Sequence, residues 1–298
     1  MESSAFKDST SDKMFTVLNG LFLIVVSLLV LYPLIYIVSA SFSSPSAVLS
    51  GKVWLWPVEP TLRGYEAVFE YKRVWTGFAN SLFYTGVGTL VNVAITITGA
   101  YALSRKDLKG RQFIMMLCVF TMLFHAGLIP VYLVVQDLGL LNTRWSLILP
   151  TALAVWNLII ARTFFQITIP DEMLEASQID GCSDFQFFFK IVLPLSAPII
   201  AVLCLFYAVG HWNQYFQALL YLRDPGLQPL QMVLRDILVR NEVNASLIMD
   251  VRVAAEQDGL RQLLKYSLIV VASVPILIIY PFVQKHFVKG VMIGSLKG

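Results

Sequence analysis

The 298-residue chain is 57% hydrophobic and only 14% charged, with a mean hydropathy of +0.71. An ordinary soluble domain carries about a quarter of its residues as charges, so composition excludes that class and points to an all-α integral membrane protein. Three scattered histidines (His125, His211, His286) and three cysteines without a C-x-x-C spacing exclude a zinc pair and a disulfide framework, and neither a metal site nor a nucleic-acid partner is expected.

In chain order, a short tail (1–13) precedes uncharged runs at 14–51, 74–104, 112–136, 145–161, 191–222 and 266–284. Each lies near or above the roughly 17–25 residues that cross a hydrocarbon core as a helix. Six transmembrane helices are therefore predicted within residues 14–290, with a C-terminal tail at 291–298. The apolar part of the first run, Phe15 to Phe42, is too long for a signal-peptide core and lacks a small-residue cleavage site. The fourth run is the shortest; Arg162 follows it and then Thr163-Phe164-Phe165, so the helix is expected to continue while the arginine snorkels to the interface.

Orientation follows from the short loops, because the Lys and Arg total divides equally between the two sides. The link Arg105-Lys106-Asp107-Leu108-Lys109-Gly110-Arg111 carries four positive charges in seven residues, which marks it as cytoplasmic. Both termini and residues 168–193 then lie inside, and two longer segments, 43–73 and 223–262, lie outside. The first outer segment holds Trp54 and Trp56, the kind of residue that gathers at a membrane interface. Arg223, Arg235 and Arg240 fall in the second, where solvated or docking roles are favoured over an electrostatic lure for acidic sugars.

Catalytic residues are not expected. No G-x-x-x-x-G-K-[ST] loop is present, since Gly51-Lys52 is followed by Val53. The polar residues within spans are uncharged: Asn80, Asn92, Gln136, Asn157, His211, Asn213, Gln214 and Gln217. For each, helix-to-helix hydrogen bonding competes with a role in a solute pathway. The cluster His211, Trp212, Asn213, Tyr215 and Gln217 suits a neutral, hydroxyl-rich solute, with amides for hydroxyl groups and flat rings for apolar faces. Read as helix, Asn213, Gln214 and Gln217 lie on one face. The absence of ionisable pairs in mid-span argues against an ion-coupled pump. A stand-alone secondary carrier or channel for a polar uncharged solute stays open, while a membrane-embedded enzyme lacks a visible nucleophile, base or metal set.

Residues 175–194, EASQIDGCSDFQFFFKIVLP, interrupt this apolar pattern. Pro170-Asp171-Glu172 starts a helix with acids in its first turn, and the helix runs to Ile179. Gly181 supplies the stop. Ser183-Asp184-Phe185-Gln186 fits a capping box, so a second helix is predicted from there to Leu193, and Pro194 and Pro198 open the next span. Glu175 and Asp180 face water while Phe187, Phe188 and Phe189 enter the bundle. Such an element is either an amphipathic linker or a docking knob for a partner with basic groups.

Glu175-Ala176-Ser177, Asp180-Gly181-Cys182 and Ile191-Val192-Leu193-Pro194 resemble the EAA loop of the membrane subunits of bacterial ABC importers, with matching spacing and with Ser177 and Cys182 in place of alanine. Gly127-Leu128-Ile129-Pro130, Leu138-Gly139-Leu140 with Asn142, Trp212-Asn213 and the ending Val288 to Gly298 resemble the carbohydrate, maltose-type branch, in particular its subgroup for fragments of complex polysaccharides. The resemblance implies a type I importer permease fold of six helices in the bacterial cytoplasmic membrane, forming half of an oligosaccharide pathway. It implies a second homologous permease, a dimer of cytoplasmic ATP-binding subunits holding ATP and Mg, an extracytoplasmic sugar-binding protein and surrounding membrane lipid as partners. This chain then binds no cofactor. Glu175, Ala176, Ser177, Asp180, Gly181, Leu193 and Pro194 take the ATPase-coupling role, with Glu175 facing a basic residue of the ATPase. The C-terminal tail reaches toward the ATPase dimer.

Overall fold

A computed structural model describes residues 9–240 and 259–279, and among these every regular element is a helix. The expected end of the sixth span, His286 and the C-terminal tail lie outside the described residues, as do residues 1–8 and 241–258. The chain divides into two compact units, one of residues 1–71 with 237–271 and one of 72–236 with 272–298.

The first unit begins with α1 (Thr10–Ser41), started by a capping box between Ser9 and Asp12. Its apolar side chains from Met14 to Leu31 are exposed. Serines crowd its far end, and each takes up a loop backbone or hydroxyl group. Ser39 Oγ donates to Leu55 O at 2.7 Å, Ser43 Oγ accepts from the Val58 N–H at 3.0 Å, and the Ser41 hydroxyl meets the Tyr65 hydroxyl at 2.8 Å. The short α2 (Pro45–Leu49) and α3 (Arg63–Glu70) follow. Leu263, on α14 (Gly259–Ile279), closes a small core with Ala40, Ala47, Val48 and Val53.

The second unit is organised on α4 (Lys72–Ser104). Gly77, Ser81, Tyr84, Gly88, Asn92, Thr96 and Ala100 recur every three or four residues along its buried stripe. That stripe is mostly small or polar, which lets helices approach closely without a hydrophobic driving force. Then come α5 (Arg111–Leu123) and α6 (Leu128–Asp137), two 3₁₀ turns (Arg144–Leu147, Leu149–Thr151), α7 (Val155–Thr168) and α8 (Asp171–Ile179). Next, α9 (Asp184–Phe187), a π-helical turn (Phe188–Val192) and α10 (Leu193–Leu195) run without interruption up to α11 (Ala197–Trp212). The unit continues through α12 (Phe216–Tyr221) into α13 (Leu230–Arg240). Its main core gathers Ile97, Leu103, Leu158, Phe165, Phe187, Val192 and Leu203.

Among the described residues, α1, α4 and α14 are the single helices long and apolar enough to cross a membrane. The other three predicted runs are broken. The third bends by 117° between α5 and α6, the fourth by 52° between the 3₁₀ turns and α7, and the fifth by 75° between α10 and α11. At the first break Gly127 takes φ +86°, a left-handed value that an uncharged-run reading cannot detect. At the third, Pro194 and Pro198 lack the N–H groups an α-ladder needs, and the turn before Pro194 widens to π geometry. Buried Ser196 takes up the Val192 carbonyl with its hydroxyl at 2.5 Å. α7 continues past Arg162, as expected, but the arginine is held by the protein: its Nε donates to Leu103 O at 3.0 Å.

Candidate functional site

The segment from Asp171 to Leu195 forms the helix, turn and helix that its residues predict. α8 spans Asp171–Ile179 with Asp171 and Glu172 in its first turn, where negative charge complements the helix dipole. Asp180 caps it, and Gly181 at φ +76° makes the turn, its N–H donating to Gln178 O at 3.0 Å. Ser183 and Gln186 form the reciprocal capping box that starts α9.

Burial divides α8 into two edges. Met173 and Leu174 pack against the core and Ser177 is 8% exposed, its hydroxyl donating to Leu174 O at 2.7 Å. Glu172, Glu175, Ala176, Ile179 and Asp180 face outward. The phenylalanines are also divided. Phe187 is 1% exposed and Phe188 packs against the same core, whereas Phe189 is exposed. Phe185 and Ile179, 79% and 87% exposed, stand beside the acids as an apolar component that the charge pattern did not reveal. Leu193 packs against the main core and Pro194 is exposed at the start of α10.

The basic link between α4 and α5 braces this element. Arg105 pairs twice with Asp107, Nε to Oδ1 at 2.9 Å and Nη2 to Oδ2 at 2.8 Å, which holds the Asp107 carboxyl below its usual range. Arg105 Nη1 also donates to the Tyr101 hydroxyl at 3.1 Å, and the Tyr101 ring packs 5.0 Å from Phe188. Arg111 Nη1 donates to Arg105 O at 3.0 Å. Lys106 reaches Asp171 at 2.5 Å, and that hydrogen bond raises its ammonium pKa. Charges that the positive-inside rule reads as a topology signal thus also hold the first turn of α8.

The second cluster is taken apart by a break in the chain. α11 ends at Trp212 and α12 begins at Phe216, so Asn213, Gln214 and Gln217 do not share one helical face. Trp212 is 3% exposed; its indole N–H donates to Ala272 O at 2.9 Å, and Phe78 meets its ring edge-on at 5.7 Å. Asn213 is exposed and closes the last turn of α11 through Nδ2 to Val209 O at 3.0 Å. Tyr215 is exposed beside Phe216. His211 and Gln217 line a recess of about 270 Å³ together with Asn92, Thr151, Asn157 and Tyr207.

This recess is neutral and its hydrogen bonds fix its walls. Asn92 Nδ2 donates to Thr151 O at 3.0 Å. The Tyr207 hydroxyl accepts from the Ala154 N–H at 3.2 Å and meets the Thr96 hydroxyl at 2.7 Å. Gln214 Nε2 donates to Leu147 O at 3.0 Å, which turns its Oε1 toward His211 Nδ1 at 3.4 Å and assigns the ring proton to Nδ1. The ring itself lies against Gly88, where a Cβ would sit 2.5 Å from Nε2, so only glycine admits it. Asn80, by contrast, is a fastener: Nδ2 donates to Gly226 O at 2.7 Å and Oδ1 accepts from Arg144. Asn142 is another, at φ +57°, its Oδ1 accepting from the N–H groups of Arg223 and Asp224.

Residues 3–293 match the family described as "Binding-protein-dependent transport system inner membrane component". The chain is 44% identical over 288 residues to the polygalacturonan/rhamnogalacturonan transport system permease protein YtcP of Bacillus subtilis (strain 168), covering 96% of this chain and 99% of that one. It is 43% identical over 299 residues to protein LplC of the same organism, covering 100% and 99%. A solved bacterial ABC transporter involved in the import of the acidic polysaccharide alginate superposes on 95% of this chain and 100% of its own with a TM-score of 0.86 at 35% identity. With a family match across nearly its whole length, the chain belongs to the binding-protein-dependent transport system inner membrane components and is an ABC importer permease of the type I fold.

Proposed function

We propose that this permease forms half of the translocation pathway of an ATP-driven oligosaccharide importer, with fragments of complex, partly acidic polysaccharides as its cargo. The observation that carries the coupling role is the exposed edge of α8, where Glu175, Ala176 and Asp180 stand free of the bundle next to Ile179 and Phe185. An acidic helix with an apolar rim, set rigidly on the main core, suits a basic groove on a soluble ATPase. Ser177, Gly181, Leu193 and Pro194 shape it, and Phe187, Val192 and Leu193, packed in the main core, carry the ATPase's motion into the bundle. ATP and Mg belong to that partner.

In this reading the first two bent pairs each cross the membrane as one span and α11 with α12 forms the fifth, giving six, with both termini and the 105–111 link in the cytoplasm. The residue-14 to residue-290 region is then the membrane domain. Asn92 lies twelve residues from Ser104 on α4, about 18 Å along a helix, so the neutral recess sits near the middle of a core roughly 30 Å thick. That depth suits a solute pathway, to which His211 and Gln217 contribute directly while Trp212, Asn213 and Tyr215 support the helix ends that border it. A second permease completes the pathway and a binding protein delivers the sugar.

The experiment is reconstitution. In proteoliposomes, the chain with its second permease and ATPase should take up oligosaccharide only with ATP and binding protein, and the chain alone should take up none. Uptake by the chain alone would favour a stand-alone carrier.

A further inference from the structure

The recess holds more unspent hydrogen-bonding capacity than a packing defect would. Asn92 is 1% exposed, and its Oδ1 is buried without a partner. Asn157 is 6% exposed and lines the recess, yet its amide makes no side-chain hydrogen bond among the described residues. Gln217, half-buried on the same wall, makes none either. Leaving a buried polar atom unpaired costs on the order of 1–3 kcal/mol, so the orphaned Asn92 Oδ1, with two amides of unspent capacity on the same wall, points to a polar occupant.

The walls indicate what that is. Among the described residues no Lys, Arg, Asp or Glu lines the recess. A carboxylate entering it would lose its hydration with no cation to replace it, a cost of several kcal/mol. Neutral hydroxyl groups lose far less, and paired donors and acceptors are what an amide offers. Phe206 and Tyr207 supply ring surface on the same wall for the C–H face of a pyranose. Relatives of this chain are named for acidic polysaccharides, which makes the lack of a cation informative.

Resting on the importer reading above, we propose that this recess is a saccharide subsite specific for the hydroxyl face of an uncharged glycosyl residue. Asn92 accepts one hydroxyl, while Asn157 and Gln217 each donate to and accept from others. Carboxylate-bearing residues of a mixed oligosaccharide pass with their charge directed away from this wall.

The test uses the complete importer with Cys118, Cys182 and Cys204 replaced by serine and, as a reporter labelled with a maleimide, Gly210→Cys, a lining position where a Cβ meets nothing within 4 Å. The probes are trigalacturonate and its fully methyl-esterified form, which keeps the hydroxyls and removes the charge. The ester should slow labelling about tenfold, the effect of some 1.4 kcal/mol of binding, and the free acid should leave the rate within about twofold. Adding Asn157→Arg should let the acid protect; Thr151→Lys serves the same purpose if the first variant does not assemble. Equal protection by acid and ester would overturn the specificity. Protection by neither, while the unmodified complex still shows uptake driven by ATP and binding protein, would overturn the subsite and leave the importer reading intact. Absence of ATP-driven uptake by the unmodified complex would overturn both.

Discussion

The helix, turn and helix at 171–195 and the segment at 211–217 are both short interruptions between apolar helices, but they are specified differently. The first is governed by local rules: acids in a first turn, a glycine at φ +76° and a Ser-Gln capping box each act within four residues. The second is set by distant partners. Its Trp212 bonds to Ala272, its Gln214 to Leu147, and its His211 lies on Gly88. An exposed element of this kind can be written locally and stand on the surface. A neutral cavity in a bundle has to be assembled from several helices.

The largest effect expected on this contrast comes from Gly88→Val. Its side chain would occupy the space of the His211 ring, an overpacking that costs about 1–3 kcal/mol or more. The purified permease should melt several degrees lower, and Gly86→Val, where nothing lies within 4 Å, should not change the melting temperature. Equal effects at the two glycines would show that the α4–α11 contact does not hold the recess wall.

Next comes Ser183→Ala, which removes the α9 cap and should destabilise by about 1 kcal/mol. Hydrogen exchange should quicken at Asp184 to Phe187 and not at 211–217, because the two segments are built independently. Trp212→Phe removes the bond to Ala272 and keeps most of the ring surface, at about 0.6–1 kcal/mol. Thermal stability should fall slightly while uptake per assembled complex holds within about twofold, as 1.4 kcal/mol marks a tenfold change. A specific loss of uptake would instead place the indole in the sugar path. The smallest effect is expected for Lys106→Ala. The Lys106 and Asp171 side chains are 75% and 40% exposed, and exposed pairs contribute little; the melting temperature should not change measurably.

How much was legible in the sequence follows the same division. The boundaries of α8 and the capping box of α9 are read from residues 170 to 186 because short-range chemistry fixes them. The apolar runs locate the membrane-embedded parts, but not the breaks at 124–127, 152–154 and 196, since none of those carries a charge. At 213–215 neither glycine nor proline marks the end of α11, so a helical wheel places Asn213 and Gln217 together when the chain separates them. Asn92 and Asn157 are visible as polar residues in apolar runs; their convergence with Gln217 is not, because it depends on helix packing. Phe206 and Tyr207 carry no signal at all that distinguishes them from core.

The most direct measurement is recovery of the ATPase with the tagged permease from detergent-solubilised membranes, comparing the native chain with Glu175→Lys. Placing a cation against a basic groove opposes docking by several kcal/mol, so recovery should fall at least about tenfold while the variant inserts and melts as the native chain does. Undiminished recovery together with undiminished ATP-driven uptake would contradict the assignment of α8 as the coupling helix.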